Sequence, residues 1–144
     1  MSKFASIAAI VVGIVMAIAG VITWVVVTNT LSSEKITVSD DASCLAGDEV
    51  NGPFSAYCQA RVIDKHTKAI TGGKTYSQLA QDDPVRATAM DSAFLQASLF
   101  TSVVAFGVAA MAIAVGVLFI LIGLGMRDVA RRVGDVAGRT PAAA

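Results

Sequence analysis

The chain has 144 residues, of which 55% are hydrophobic, 15% charged and 6% aromatic. Soluble domains carry charge on roughly a quarter of their residues, so this depletion points to a membrane protein before any segment is read. Basic and acidic residues cancel to a formal net charge of zero, which leaves no global field to attract nucleic acid or another acidic polymer.

The first element is an uncharged apolar run from Phe4 to Thr28, "FASIAAIVVGIVMAIAGVITWVVVT". About 20 apolar residues cross a hydrocarbon core of about 30 Å, so the run is long enough to span it. Lys3 and the small-x-small triplet Ala17-Ile18-Ala19 imitate a cleavable signal peptide. The apolar run continues through "GVITWVVVT", where a cleaved leader would turn polar. Residues 1–28 are therefore expected to be a cytoplasmic N-terminus and an uncleaved first transmembrane helix. Trp24, near the outer end, suits the aromatic belt of a membrane interface.

Residues 29–96 carry most of the charged residues, six Lys or Arg and nine Asp or Glu. "KITVS", Lys35 to Ser39, alternates like a short strand. In "NGPFSAYCQARVIDKHTKAITGG" a helix opens at Pro53, which is tolerated in a first helical turn. Phe54, Cys58 and Val62 recur every fourth residue, with Tyr57 and Ile63 widening the stripe. Gly72 and Gly73 supply the left-handed conformation that stops helices. Thr75 and Gln78 match a capping box and open a short helix through about Gln81. Asp82-Asp83-Pro84 caps the next, whose apolar face of Val85, Met90, Phe94 and Ala97 leads unbroken into the second span.

Both cysteines, Cys44 and Cys58, fall in this segment, and an oxidising compartment makes a disulfide between them the default. The other readings are a reactive thiol pair and a metal site. Two thiols and the single His66 are one ligand short of the usual four. Asp40-Asp41 and Asp82-Asp83 read as turn caps rather than a calcium loop. "TGGKT", Thr71 to Thr75, resembles the end of a phosphate-binding loop, but G-x-x-x-x-G-K-[ST] requires glycine where Lys68 stands. It is read as a turn, and no nucleotide is expected.

The second apolar run lies in residues 97–126, "ASLFTSVVAFGVAAMAIAVGVLFILIGLGM". Neither run contains Asp, Glu, Lys, Arg or His, which argues against an ion-coupled pump. Small residues mark one face of each: Ala9, Gly13, Ala17 and Gly20 on the first, and Ala109, Ala112, Gly116 and Gly123 on the second. Such faces let helix backbones approach closely in lipid. In an antiparallel hairpin, depth matching pairs Gly13 with Gly116, Ala17 with Ala112 and Gly20 with Ala109. Residues 127–144 form an Arg-rich tail, helical at first with Val129 and Val133 spaced by four. Its arginines are placed to reach anionic headgroups, and Gly134, Gly138 and "TPAAA" suggest fraying.

Basic residues near the spans orient them. Lys3 precedes the first, and Arg127, Arg131, Arg132 and Arg139 follow the second. The positive-inside rule puts both termini in the cytoplasm and residues 29–96 outside the plasma membrane. No G-x-S-x-G elbow accompanies His66, so no catalytic, cofactor-binding or metal-binding residue is assigned.

Together, "GPFSAYCQARVI", "TGGKTYSQL" and "ASLFTSVVAFGVAAMAIAVGVLFILIGL" resemble a family of small actinobacterial membrane proteins often labelled aromatic ring-opening dioxygenase. The resemblance covers roughly Phe4 to Met126 and implies a two-span protein of unknown role. Ring-opening iron chemistry needs two His and a carboxylate, and only His66 is present. The expected fold is thus an all-α membrane protein, with two transmembrane helices in an antiparallel hairpin and a small extracytoplasmic helical domain. The expected function is non-enzymatic: an accessory, scaffold or interaction subunit of the cell envelope, with no cofactor. Its partners would be the lipid bilayer and further copies or a larger membrane complex. A membrane sensor or regulator with an external ligand-binding domain is the alternative.

Overall fold

A computed structural model of the chain describes residues 2–138, with side chains from 4 to 134. Arg139 and the "TPAAA" tail lie outside the described residues, as does the side chain of Lys3. The described chain is all-helical: α1 (Ser2–Ser33), α2 (Pro53–Ile70), a 3-10 turn (Tyr76–Gln78) and α3 (Arg86–Gly138). Its contacts divide it into two compact units, Met1–Ile22 with Ala109–Ala144, and Thr23–Val108.

Two helices are long and apolar enough to cross a membrane, within Phe4–Ser33 and Arg86–Gly134. Only 11% and 17% of their most apolar windows are buried inside the protein. A core helix of a soluble protein would be mostly covered. Here Val11, Val15, Ile18 and Val21 on α1, and Leu118, Leu121 and Ile122 on α3, leave about half of their surface uncovered. That exposure, with their length and composition, leaves both helices able to cross a membrane.

In the unit built from Met1–Ile22 and Ala109–Ala144, the buried positions recur every seventh residue. They are Ser6, Gly13 and Gly20 on α1, and Ala109, Gly116 and Gly123 on α3. A seven-residue repeat is the period of left-handed helix packing. Glycine is required at these positions by space rather than by backbone angle. A Cβ on Gly13 would stand 2.5 Å from the Gly116 carbonyl oxygen, and one on Gly20 2.7 Å from that of Ala109. On Gly116 it would meet the Ala17 nitrogen at 2.7 Å, and on Gly123 the Ser6 oxygen at 2.8 Å. The two backbones are in van der Waals contact, and their partners run in opposite order along α1 and α3. Of the remaining small residues, Ala9, Ala17 and Ala112 are half-buried at the margin of the seam.

The unit Thr23–Val108 has its own small core, made by Leu31, Val38, Val50, Ala56, Cys58, Ala60, Leu99 and Phe106. Trp24 packs edge-on against Phe106 with ring centroids 4.8 Å apart, which adds a packing role to its place near a helix end. The Cys44–Cys58 disulfide ties the loop after α1 to the middle of α2. Closing a loop of 14 residues contributes about 3 kcal/mol in the chain-entropy model, a large share for so small a core. Residues 36–50 form a tight excursion rather than a strand. A single bridge pairs Thr37 with Glu49. The amides of Val38 and Val50 donate to Asp48 and Ile36 across it, each at 2.8 Å, and Gly47, at φ 79°, turns the chain back.

Helix α2 begins where Pro53 sets the first turn and Ser55 Oγ accepts from the amides of Asn51 and Gly52, both at 3.2 Å. It ends where the Gly73 amide donates back to the Lys68 carbonyl at 2.7 Å, with Gly72 and Gly73 at φ 63° and 83°. The Thr75–Gln78 cap is present, its Gln78 side chain accepting from the Thr75 amide at 2.9 Å. The helix it opens is shorter than expected. Only Tyr76–Gln78 is wound, and Leu79 is extended and buried. Six residues between two caps are too few to propagate a helix, and unwinding lets Leu79 turn inward.

Two expected apolar faces are corrected. On α2 the buried arc runs from Cys58 through Val62 and Ser55 to Ala56 and Ala60, while Phe54 is 78% and Tyr57 41% exposed. On α3 the inward positions are Ala89, Ser92, Gln96, Leu99, Val103 and Phe106; Met90, Phe94 and Ala97 lie on the opposite side. In both helices small or polar residues face in, because they allow close approach of the backbones. Bulk was the wrong guide.

Substituting Gly13 or Gly116 by leucine is expected to destabilise the helix pair by about 1–3 kcal/mol or more through overpacking. Gly107, where an added Cβ meets nothing within 4 Å, should accept the same change at little cost. Unfolding in mixed detergent micelles, followed by far-UV circular dichroism, measures both. Equal effects at Gly107 and Gly116 would contradict the seam.

Candidate interaction surfaces

Three features stand out once the fold is in place. The first is the helix seam, where the glycines leave no room for anything but the partner backbone. Buried glycine Cα–H groups facing carbonyl oxygens make weak hydrogen bonds that suit an apolar solvent. Ser6 is also buried there, at 2% exposure.

The second is a charge cluster on the Thr23–Val108 unit. Lys65, on α2, places Nζ 2.8 Å from Asp41 Oδ2 and also donates to the Asp41 carbonyl at 3.2 Å. The His66 Nε2 lies 2.8 Å from the same carboxylate oxygen. The hydrogen bond from Lys65, and after it that from His66, lowers the Asp41 pKa to about 2. The cluster staples the loop to α2 on the surface, one helical turn or more beyond the disulfide. Its three side chains are each about half or more exposed. A further carboxylate pair, Lys68 with Asp64 at 2.7 Å, is an ordinary i,i+4 contact along α2. Arg86 fixes the start of α3: it donates to the Tyr76 and Leu79 carbonyls and lies 4.2 Å above the Tyr76 ring. In "TGGKT", the Thr71 hydroxyl donates to the Lys74 carbonyl at 2.6 Å and closes the turn.

The third is a set of exposed apolar side chains on the same unit. Phe54, Tyr57, Phe94, Leu95 and Phe100 are all more than a third exposed. Tyr57 meets Phe100 edge-on at 6.1 Å, and Arg61 donates to the Tyr57 hydroxyl at 3.2 Å. Exposed aromatic groups of this density mark contact surfaces more often than solvent-facing ones.

Of the residues singled out from sequence, Cys44 and Cys58 are joined, and Gly13, Gly20, Ala109, Gly116 and Gly123 are brought together in one seam. Ala9, Ala17 and Ala112 flank it. The Asp41–Lys65–His66 cluster was missed. Its members are 24 and 25 residues apart, and only the Cys44–Cys58 closure just inside them hinted at the approach. Among the described residues, no three His, Cys, Asp or Glu side chains converge as metal ligands. Comparison of the chain with protein families, curated proteins and solved structures finds no match.

The Asp41 cluster predicts an acid limb. Because the folded pKa is depressed from 3.8 to about 2, the cluster's contribution is full above pH ~4 and is lost as pH falls through 2. Asp41→Asn should therefore lower the melting temperature of the protein at pH 6. The difference from wild type should close as pH falls from 4 to 2. A gap that stays constant over that range would remove the ion pairs from the account.

Proposed function

We propose that this chain is a non-enzymatic integral membrane protein whose work is association. In this reading α1 and α3 cross the lipid as an antiparallel hairpin, with both termini in the cytoplasm and residues 29–96 on the extracytoplasmic side. The chain serves as an accessory, scaffold or self-assembling subunit of the cell envelope, in contact with further copies or a larger membrane complex.

The observation that carries the reading is the glycine seam beneath an outer surface of half-exposed valine, leucine and isoleucine. Lipid tails are as apolar as these side chains, so helices in a membrane associate through close packing rather than through escape from water. The exposed Phe54 and Tyr57 on the other unit supply a second surface suited to a partner. Support for a non-catalytic role comes from the lone histidine, whose ring is already engaged by Asp41 on an open surface.

One feature favours the second reading, a sensor or regulator. Helix α3 is continuous from Arg86 to Gly138, so one helix contains both Phe94 and the arginines at 127, 131 and 132. A regulator would use it to report ligand binding inward.

Purification in a mild detergent is expected to yield a stoichiometric partner or a homo-oligomer, and Phe54→Ser should weaken that association without shifting the melting temperature. A monomer that stays clean at every detergent concentration would end the association reading. For the regulator, a truncation after Arg132 should abolish the response while leaving the complex intact.

A further inference from the structure

The groove at the arginine end of α3 is not used by any role proposed above. It belongs to the unit of Met1–Ile22 with Ala109–Ala144, encloses about 530 Å³, and is lined by Ser6, Ile7, Arg127, Ala130, Arg131 and Gly134. That volume is in the range of small-ligand sites. Ala130 is the next seventh-residue position after Ala109, Gly116 and Gly123, so the floor of the groove continues the seam. Ile7, from α1, faces the two arginines across it.

The three arginines of this stretch are not equivalent. Arg132 Nε sits 2.9 Å from Asp128 Oδ2, on the side of α3 away from the groove. Arg127 and Arg131, one turn apart, have no carboxylate partner among the described residues. Two like charges at i,i+4 destabilise a helix, and an anion held between them reverses that sign. Guanidinium groups present paired donors that match phosphate oxygens in a bidentate fashion. A second, apolar concavity of about 480 Å³ adjoins the first through the shared Ala130 and is lined by Met126, Val129 and Val133. The surface is therefore two-part, doubly cationic on one side and greasy on the other.

We infer that this groove binds one anionic glycerophospholipid, its phosphate held between Arg127 and Arg131 and its glycerol and proximal acyl carbons against Ala130, Val129 and, toward the bilayer, Met126. The inference rests on the membrane reading given above. It differs from general attraction of a basic tail to an acidic bilayer, because that attraction would use Arg132 as much as its neighbours and would be indifferent to Ile7.

The test uses the full chain, delipidated in a neutral detergent and offered phosphatidylglycerol or phosphatidylcholine, with retained lipid counted by native mass spectrometry. Wild type is expected to retain phosphatidylglycerol preferentially. Exchanging both Arg127→Gln and Arg131→Gln should cut retention at least about tenfold, given roughly fivefold for each basic residue near a lipid surface. Ile7→Glu, on the other helix, should do the same by placing a carboxylate where the phosphate sits. Arg132→Gln should change little. Equal loss in Arg132→Gln, no loss in Ile7→Glu, or equal retention of phosphatidylcholine would each overturn the site. Displacement of the lipid by millimolar inorganic phosphate would assign the groove to a free anion and overturn the lipid. A chain recovered from cells without detergent would sink the membrane reading itself; a chain that needs detergent but shows no lipid preference sinks only the site.

Discussion

Contact between two helix backbones at glycine is the constraint on which the membrane part of this molecule depends. A Cβ on Gly13, Gly20, Gly116 or Gly123 would come within 2.5–2.8 Å of a backbone oxygen or nitrogen of the facing helix. Side chains of Ile10, Ile113 and Ile120 also close in on Gly123, Gly20 and Gly13, but it is the backbone atoms that cannot give way. In water, a pair of helices can tolerate a looser fit because apolar burial still drives them together. In lipid that drive is absent, and dispersion between closely packed backbones has to replace it. The bulky residues accordingly turn outward: Val15 is 61% exposed, and Leu121 58%. In the membrane setting we propose, they would dissolve the pair in lipid while the small residues hold it together.

Close packing also organises the Thr23–Val108 unit, which includes the adjoining ends of both apolar runs. Its core is assembled from few large side chains, with Val38, Val50 and Phe106 nearly or fully covered. Such a core stabilises weakly, so covalent and ionic ties do part of the work. The Cys44–Cys58 bond limits the unfolded chain, and the Asp41–Lys65 contact holds the outer end of the same loop. Ala56 and Ala60 face inward on α2 for the reason glycine does in the seam: a small side chain lets a neighbouring element lie close. The cost is that Phe54 is left outside.

That cost explains what could and could not be read from the amino acids. The two long apolar runs, the cysteine pair and the small-residue faces are local signals, and each could be found without knowing the fold. The seven-residue spacing of Gly13 to Gly20 and Gly116 to Gly123 was present in the letters too, although only one face, not a period, was drawn from it. The faces of α2 and α3 misled because hydropathy ranks Phe54, Met90 and Phe94 above Ala56, Ala89 and Ser92. Close packing reversed the order. Asp41, Lys65 and His66 meet only because the loop after α1 folds back on α2, a long-range event with no local pattern.

Exposed aromatics on one unit, and two arginines with no carboxylate partner among the described residues on the other, are departures from internal saturation that differ in kind. Polar groups elsewhere are satisfied: no buried side-chain nitrogen or oxygen lacks a partner among the described residues. What the molecule leaves open is surface, apolar at Phe54 and Phe94 and cationic at Arg127 and Arg131. Open surface of complementary kinds is the equipment of a protein that is held by its surroundings and holds others in turn. Association, with lipid as one of the associates, is the reading we propose on that ground.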